Sequence, residues 1–201
     1  MNRERLEKQI DFILELDKEK SITRNNFLAN ASRRENDAEH AWHLAVSALI
    51  LSEYANEKID VLKTIAMVLM HDVVEIDAGD TYAFDEEGVK TQAEREARAA
   101  DRLYHILPED QAEKYLNLWL EFEEGKTPEA RYAHTLDNFQ PAMLNDASGG
   151  ISWAENNIKI SQILSRNAHT HEGSEALWEY QKNFFRKNIE KGNIIKDVDE
   201  L

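Results

Sequence analysis

The run LKTIAMVLMHDVVEI at residues 62–76 is strongly apolar and helical in pattern, yet His71, Asp72 and Glu75 stand near its end. A single histidine in such a helix is usually a core residue, and the dipeptide His-Asp by itself carries little information. An aspartate beside the histidine changes that, because a carboxylate in an apolar helix is costly unless it is paired or bound to a metal ion. The sequence therefore favours metal binding by His71 and Asp72.

Composition limits the kind of protein that carries this run. With 201 residues, 42% of them hydrophobic, the chain can form one domain with a sizeable core. It contains no cysteine, which excludes disulfides, thiolate metal sites and cysteine nucleophiles. The longest apolar stretches are too short to cross a bilayer, and the N-terminus lacks the apolar centre of a signal peptide. We therefore expect a cytoplasmic protein with no membrane partner.

The net charge of −15 argues against a nucleic-acid polymer as partner, since phosphate backbones are bound by clustered lysine and arginine. A small anionic ligand needs only a local basic patch or a cation. The densest basic segment, residues 18–34, precedes the first histidine of interest and includes Arg24, Arg33 and Arg34. This segment is either an ordinary solvated loop or such a patch.

Helical periodicity and the scarcity of glycine and proline predict an all-α fold without strands. Residues 1–201 are expected to form a single-domain helical bundle of about seven to nine helices, with a metal-binding core at about 20–145 and C-terminal helices at 152–191. The clearest helix starts are two capping boxes and a helix-initial proline: Asn36 with Glu39, Thr91 with Glu94, and Thr127 with Pro128. The expected helices cover residues 3–18, 37–55, 60–76, 91–106, 108–124, 127–146, 152–165 and 174–191.

Two histidines are expected at the same end of a helical hairpin. The helices at 37–55 and 60–76 are joined by a short connection, which favours an antiparallel pair. From His40 the chain travels roughly 22 Å along the first helix and returns roughly 17 Å along the second to His71. Asp72 lies about 100° from His71 around the helix, so both side chains can reach one ion near His40.

More carboxylates follow this pair. Glu75 lies one turn beyond His71 on the same face, where it could orient a bound water or act as a general base. Asp77 and Asp80 follow on a short loop over the helix end. Either of these is a candidate for a hydrogen bond to a metal ligand or for contact with substrate.

A fourth ligand should come from a distant helix, and the best candidate is Asp137. Its neighbours Leu136, Phe139 and Met143 are apolar, so the carboxylate is expected to face inward. Pro141 lacks the N–H that would bond to the carbonyl of residue 137, which predicts a kink there. A simple bend around the core is the alternative interpretation.

The remaining histidines are weaker candidates. His43 lies one turn beyond the first ligand and is either a neighbour of the metal site or a core residue. His105 and His134 are possible ligands of a second ion. His169 and His171, in a polar turn, are expected at the surface.

Taken in order, His40, His71-Asp72 and Asp137 resemble the ligand set of the HD-domain metal-dependent phosphohydrolases. Two segments, RRENDAEH ending at His40 and HDVVEIDAGD starting at His71, are similar to the 5′-deoxynucleotidase branch. The similarity extends over about residues 10–145. The resemblance implies that these four side chains bind one divalent metal ion. It also implies an all-α bundle of the HD-domain type that forms a homodimer.

The same resemblance implies roles for the residues around the ion. Glu75 would help to activate or position the attacking water, Asp80 would lie close to the reacting phosphate and sugar, and Arg24 would contact the phosphate. These three are the catalytic candidates. The candidates for substrate binding are Arg24, Arg33, Asp80 and Thr81.

Two departures from that branch concern the substrate pocket. Asn25 stands where the branch has a tryptophan, and Gly79-Asp80 is followed by TYAFDEEG, residues 81–88, instead of a Thr-Pro element. Thr81 is the hydroxyl available in this loop. The hydrolytic residues therefore match the branch better than the residues expected near sugar and phosphate do.

The sequence thus predicts hydrolysis of a small phosphate monoester, with a (deoxy)nucleoside 5′-monophosphate as the expected substrate. Two nitrogen and two oxygen ligands suit Mn²⁺, Co²⁺, Fe²⁺ or Zn²⁺, and such an ion lowers the pKa of a bound water. Arg24 and Arg33 would balance the charge of the substrate in an otherwise acidic protein.

Two other classes of protein stay open from the sequence. Some HD-domain proteins bind two irons and act as oxygenases; here His105 and His134 would have to supply the additional ligands. A non-enzymatic helical binding or dimerisation protein would keep Asp72 and Glu75 for stability alone, which the cost of burying charge makes unattractive.

Overall fold

The computed structural model describes residues 3–82, 84 and 86–199, and it is mostly helical, as predicted. This part of the chain contains eight helices of at least seven residues, within the predicted range. The helices are α1 (Arg3–Leu16), α2 (Asp37–Leu51), α3 (Val61–Met70), α4 (Glu75–Ala78), α5 (Glu86–Tyr104), α6 (Glu109–Glu124), α7 (Pro128–Ala147), α8 (Ile151–Glu155), α9 (Ile160–Arg166), α10 (Thr170–Gly173) and α11 (Glu175–Glu190).

Two of the predicted helix starts are confirmed by their hydrogen bonds. At the start of α2, the Asn36 side chain accepts from the backbone N–H of Glu39, and the Glu39 carboxylate accepts from that of Asn36. At the start of α7, Thr127 Oγ1 accepts from the N–H of Ala130, and Pro128 occupies the first helical position. These caps fix where the two helices that carry His40 and Asp137 begin.

The prediction that no strands form is wrong. Strands β1 (Thr23–Phe27) and β2 (Arg34–Asn36) form a two-stranded antiparallel sheet, and the connection is stabilised by Asn30 Oδ1, which accepts from the N–H of Ser32. The segment is polar and lacks the alternation of a half-buried strand, so its sequence reads as a loop. Since β2 leads directly into α2, the hairpin lies against the end of the bundle at which α2, the helix that carries His40, begins.

The helix predicted at 60–76 is interrupted. Helix α3 ends at Met70, residues His71–Val74 form a 3₁₀ turn, and α4 ends at Ala78, just before Gly79, whose φ of 75° suits glycine. The change of helical pitch falls on the His-Asp pair itself. Neighbouring side chains in a 3₁₀ turn are about 120° apart rather than about 100°, so the pair spreads further around the axis.

Two other boundaries also differ from the prediction. Thr91 does not start a helix, because α5 begins at Glu86 and Thr91 Oγ1 donates instead to the carbonyl of Gly88 within it. The helix predicted at 152–165 is divided into α8 and α9. The break contains Asn157 with a φ of 52°, a left-handed conformation that ends a helix. Residues Ala83 and Asp85, in the segment 81–88 that differs from the deoxynucleotidase pattern, lie outside the described residues.

Three clusters of buried apolar residues support one cavity. The first lies among α2, α3, α6 and α7, the second joins α1 and the 3₁₀ turn to α5 and α6, and the third lies among α7, α8, α9 and α11. Phe122, Val74 and Trp153, one residue from each cluster, line the same cavity. The site described below therefore lies where the three clusters meet.

None of the helices among the described residues is both long and apolar enough to cross a membrane.

Candidate metal centre and active site

Four side chains from α2, the 3₁₀ turn and α7 meet at one point. His40 Nε2 lies 3.0 Å from Asp137 Oδ1 and 3.7 Å from Asp72 Oδ2. His71 Nε2 lies 3.1 Å from Asp72 Oδ1 and 3.7 Å from Asp137 Oδ1. The structure thus places all four of the predicted ligands together, and the centroids of the two imidazole rings are 5.6 Å apart.

The imidazoles are oriented as metal-bound histidines are. His40 Nδ1 lies 2.9 Å from Gln140 Oε1, and His71 Nδ1 lies 3.0 Å from the carbonyl oxygen of Val68. Because both acceptors are oxygens, each Nδ1 carries a hydrogen. Once Nε2 has no proton, its lone pair is directed toward the point where the carboxylates meet, as in a metal-bound histidine. His71 Nε2 is buried without a hydrogen-bond partner among the described residues. These donors fit a divalent cation.

The negative charges of the carboxylates at this point favour the binding of a cation. Burial by itself lowers the pKa of His71, but the Asp72 and Asp137 carboxylates outweigh it and raise that pKa to about 9. Burial raises the pKa of Asp137, and the adjacent imidazoles of His40 and His71 outweigh it, so the Asp137 pKa lies well below its usual range. In the absence of metal, a proton on His71 therefore supplies the positive charge.

Gln140 connects the His40 ligand to a buried acid. Its Nε2 donates to Glu35 Oε1 at 2.7 Å and to His43 Nδ1 at 3.1 Å, while its Oε1 accepts from His40. Burial raises the pKa of Glu35 to about 7. His43 is thus a neighbour of the site rather than a group facing the ion, and Gln140 holds the His40 ring in one tautomer. Gln140 lies next to Pro141, through which α7 continues.

Arg24 extends from β1 into this cluster of carboxylates. Its Nη1 donates to Asp72 Oδ2 at 2.7 Å and to Asp37 Oδ1 at 3.2 Å, and it lies 3.9 Å from Glu75 Oε2. Burial, which lowers the pKa of Arg24, is outweighed by Asp72 and Glu75, which raise it, so the guanidinium stays charged. Its Nε has no hydrogen-bond partner among the described residues, which leaves a buried donor available to an anion.

Glu75 and Asp80 both lie in the cavity wall, as do the ligands His71, Asp72 and Asp137. Glu75 is buried, and its Oε2 lacks a hydrogen-bond partner among the described residues. Burial and the neighbouring Asp72 raise the pKa of Glu75 well above its usual value, and burial raises that of Asp80. Raised pKa values of this kind are typical of carboxyls that exchange protons in a catalytic site.

Asp37 is a site residue that the sequence did not indicate. It is fully buried, it accepts from Arg24, and burial and Asp72 raise its pKa to about 7, with a hydrogen bond to Glu75 acting in the opposite direction. From sequence, Asp37 is simply an acidic residue in the first turn of α2, which is common because it complements the helix dipole. Only the position of β1 turns it into a partner of Arg24.

The cavity beside these groups has a volume of about 260 Å³. That is slightly below the roughly 300–1,000 Å³ of typical small-molecule pockets, and it suits one small ligand rather than a polymer. Among the predicted residues, its wall contains Arg24, His71, Asp72, Glu75, Asp80, Thr81 and Asp137. His40 lies behind this wall, fully buried. Thr81 Oγ1 accepts from Arg95 Nη2 at 2.7 Å.

Several other candidates do not reach the centre. Arg33 pairs with Glu39 at the surface, with about half of its side chain exposed, and it is absent from the cavity wall. His105 is exposed near the end of α5 and donates to the Asp101 carbonyl. His134 lines the cavity, but its Nε2 donates to a backbone carbonyl of α6 at 2.7 Å. The structure therefore does not place the proposed second-ion ligands around one point.

The three remaining candidates, Asp77, His169 and His171, are exposed at the surface. Arg102 pairs with Asp77 through both of its oxygens. His169 is exposed and paired with Glu172, and His171 is exposed, as predicted for both histidines.

Arg166, at the end of α9, was also not expected. It lines the cavity, and its Nη2 lies 3.5 Å from Asp137 Oδ2. The sequence pattern predicts a metal-binding core within about residues 20–145, with the C-terminal helices outside it. No local pattern distinguishes Arg166 from an ordinary helix-terminal arginine, so only the folded chain reveals its position.

Comparison with known proteins agrees with this geometry. A family model for the HD domain matches residues 16–178. The crystal structure of a protein from Magnetospirillum magnetotacticum MS-1, described as a predicted metal-dependent phosphohydrolase, is similar with a TM-score of 0.90 and 40% identity, covering 95% of this chain and 96% of that one. A conserved hypothetical protein from Pyrococcus furiosus is similar with a TM-score of 0.62 and 25% identity, covering 88% and 99%.

Among curated proteins, the human 5′-deoxynucleotidase HDDC2 is 25% identical over 150 residues, which is 68% of this chain and 72% of the human protein. The Danio rerio 5′-deoxynucleotidase HDDC2 is 28% identical over 114 residues, 55% of this chain and 54% of that protein. These relatives are distant, and the second match spans about half of each chain.

We expect metal binding to weaken as pH falls. The ion must displace the proton that Asp72 and Asp137 hold on His71, whose pKa is about 9 without metal. Below that pKa, one proton leaves for each ion bound, so the affinity should fall about tenfold for each unit of decreasing pH. Titration calorimetry with Mn²⁺ between pH 6.5 and 8.5 measures this slope; an affinity independent of pH would contradict it.

Replacing Gln140 should weaken the metal site without touching a ligand. In Gln140→Leu, the N–H of His40 loses its acceptor and the ring is free to change tautomer, so the Kd for Mn²⁺ should rise about 10- to 100-fold. Gln111→Leu on α6, away from the cavity, is the matched control. Equal metal affinity of Gln140→Leu and the unmodified protein would exclude this role for Gln140.

Proposed function

The chain belongs to the HD-domain family, and we propose that it is a metal-dependent phosphohydrolase that cleaves (deoxy)nucleoside 5′-monophosphates. One observation carries the proposal. His40, His71, Asp72 and Asp137 converge with two nitrogens and two oxygens beside a small cavity, while the buried Nε of Arg24 has no partner among the described residues. A cation next to a free guanidinium donor suits a phosphate dianion.

A divalent ion held by the four ligands would polarise a phosphoryl oxygen and lower the pKa of a bound water. Arg24 would donate from Nε to a phosphate oxygen while its Nη1 stays bonded to Asp72 and Asp37. This second set of bonds fixes the guanidinium before substrate arrives, so little is lost in ordering it. Arg24 therefore orients the phosphate rather than simply attracting it.

The proton transfers fall to Glu75 and Asp80. Glu75 would take a proton as the water oxygen forms its bond to phosphorus, and Asp80 would give a proton to the sugar oxygen as the P–O ester bond breaks. The products are a nucleoside and inorganic phosphate. The two carboxyls suit these roles because burial raises the pKa of each.

The relatives support the reaction class more strongly than the substrate. The neighbour at 40% identity is described only as a predicted metal-dependent phosphohydrolase, while the 5′-deoxynucleotidases are 25–29% identical. Asn25 and Thr81, which differ from the deoxynucleotidase pattern, both line the cavity. The proposal therefore includes both ribose and deoxyribose substrates.

The test is hydrolysis by the metal-loaded protein. We expect phosphate release from nucleoside 5′-monophosphates with Mn²⁺ or Co²⁺, and Glu75→Gln should lower kcat about 100-fold or more, since general acid–base groups contribute that much. Glu94→Gln, an exposed position on α5, is the control. A protein that binds metal and cleaves no phosphate ester would refute the proposal; two bound irons and an oxygen-sensitive spectrum would favour the oxygenase class instead.

We also propose that the protein is a homodimer. Helix α2 exposes a stripe of apolar residues at helical spacing, with Leu49 59% and Ile50 65% exposed, and α3 exposes more beside it. The stripe consists of Trp42, Val46, Leu49 and Ile50 on α2 and Leu62 and Leu69 on α3. Exposed patches of this kind mark protein contacts, and a closed two-fold pair buries the same patch on both copies.

Sedimentation equilibrium tests the dimer. The unmodified protein should have the mass of two 23.2 kDa chains, and Leu49→Glu should reduce it to that of one, because a charge buried at the contact is costly. Leu120→Glu changes an exposed leucine on α6 outside the stripe and should leave the mass unchanged. A single-chain mass for the unmodified protein would disprove the dimer.

A further inference from the structure

The cavity has two chemically different ends. One end contains the metal ligands, Arg24 and the acidic groups described above. The other is formed by the second half of α7, the C-terminal helices, Tyr82 and Phe84. Apolar and aromatic side chains line it beside the polar Ser152 and Asn167: Ala142, Trp153, Ile163 and Phe185, with Tyr82 and Phe84. Hydrolysis of a phosphate ester requires only the first end, so the second calls for a separate explanation.

The aromatic end is firmly packed. Trp153 and Phe185 are buried and meet edge to face, with their ring centroids 5.9 Å apart. Tyr82 and Phe84, partly buried against the same cluster, also meet edge to face at 5.4 Å. Trp153 and Phe185 thus form a rigid base, and the half-buried rings of Tyr82 and Phe84 offer apolar surface to a flat guest, which gains by stacking and by leaving water.

A polar group without a partner lies in this end. Asn145 on α7 lines the cavity and is only 7% exposed, and its Oδ1 has no hydrogen-bond partner among the described residues. A buried amide oxygen left without a donor costs roughly 1–3 kcal/mol. A ligand that brings an N–H to this oxygen recovers that free energy.

The position of Asn145 suits a ligand that reaches both ends. It follows Asp137 by eight residues on the same helix, a rise of about 12 Å. A phosphate ion alone cannot span this distance, whereas a molecule with a phosphate, a sugar and a ring can approach it. The cavity is continuous between the two residues, since both line it.

We propose that the aromatic end is a subsite for a nucleobase and that Asn145 is a specificity residue that accepts a hydrogen bond from an N–H of the base. This inference rests on the proposed function and names the part of the substrate that the ligands and Arg24 do not contact. A base supplies both the flat ring that the aromatic wall takes and the donor that Asn145 Oδ1 lacks. A sugar phosphate supplies neither.

The subsite also explains what the unusual loop contributes. The sequence TYAF that follows Asp80 provides Thr81 near the acidic end and Tyr82 and Phe84 at the aromatic end. Burial raises the pKa of Tyr82, whose hydroxyl bonds to Ser152 at the start of α8, so it stays neutral. Thr81, Tyr82 and Phe84 therefore contribute to both ends of the cavity.

The first test compares substrates. With the Mn²⁺-loaded protein, kcat/KM for adenosine and thymidine 5′-monophosphates should exceed that for ribose 5-phosphate and 2-deoxyribose 5-phosphate. The Asn145→Leu variant keeps the approximate shape of the side chain but removes the acceptor. In this variant, the ratio of kcat/KM for the nucleotides to kcat/KM for the sugar phosphates should fall about 10- to 100-fold. Asn117→Leu, at an exposed position of α6, should leave the ratio unchanged. Equal cleavage of nucleotides and sugar phosphates by the unmodified protein would overturn the subsite and leave the phosphohydrolase proposal standing.

The second test needs no catalysis. Adenosine and thymidine, which lack phosphate, should bind the Mn²⁺-loaded protein in titration calorimetry, and Asn145→Leu should weaken that binding about tenfold or more. If no phosphate ester is cleaved, the proposed function fails, but nucleoside binding lost in Asn145→Leu still supports the subsite. Absence of nucleoside binding to the unmodified protein, or equal binding by Asn145→Leu, overturns it.

A second variant guards against misfolding. Ala142→Leu adds a larger side chain to the aromatic wall and should lower the nucleotide preference and nucleoside binding as Asn145→Leu does. Circular dichroism and the melting temperature identify a variant that does not fold. The other variant then serves as the test of the subsite. A folded Ala142→Leu with the full nucleotide preference would also count against the subsite.

Discussion

The structure depends on a concentration of buried negative charge at one end of a helical hairpin. Asp37, Asp72, Glu75 and Asp137 lie together, with Arg24 as their fixed positive partner. One guanidinium cannot balance four carboxylates in a poorly solvated site, so protons must be retained or a cation must be bound. The raised pKa values of Asp37, Glu75 and His71 are the consequence. A protein selected for stability alone would not keep this arrangement.

The irregular parts of the fold are the parts that build this site. The β-hairpin brings Arg24 to the end of α2, and the 3₁₀ turn spreads His71 and Asp72 around the helix axis. The regular helices supply the frame, with their caps holding α2 and α7 in register. Departures from regular structure cost free energy, and their concentration around the ligands indicates what they contribute to function.

The C-terminal helices give the cavity its second chemistry. The ligands and Arg24 are drawn from the first three-quarters of the chain, while Trp153, Arg166 and Phe185 close the opposite wall. The match to the HD-domain family model ends at residue 178, within α11, so it includes most of these helices. A common hydrolytic centre and a wall of particular composition are compatible with one reaction class acting on different organic groups.

The sequence by itself determined the helical class, the hairpin of α2 and α3, and the meeting of His40, His71 and Asp72. These follow from local rules, since periodicity and caps set the helices and helix length sets which ends coincide. Asp137 was only the best candidate from a distant helix, supported by its apolar neighbours and by the family resemblance. The sequence did not determine the β-hairpin, the surface position of Arg33, or the inclusion of Asp37, Arg166 and Asn145. Those depend on how distant segments pack, because a charged or amide side chain has no intrinsic preference for a cavity over solvent until its neighbours are in place. Burial and the partners left unsatisfied by it exist only in the tertiary structure, and they are what distinguish a site residue from one of the same type at the surface.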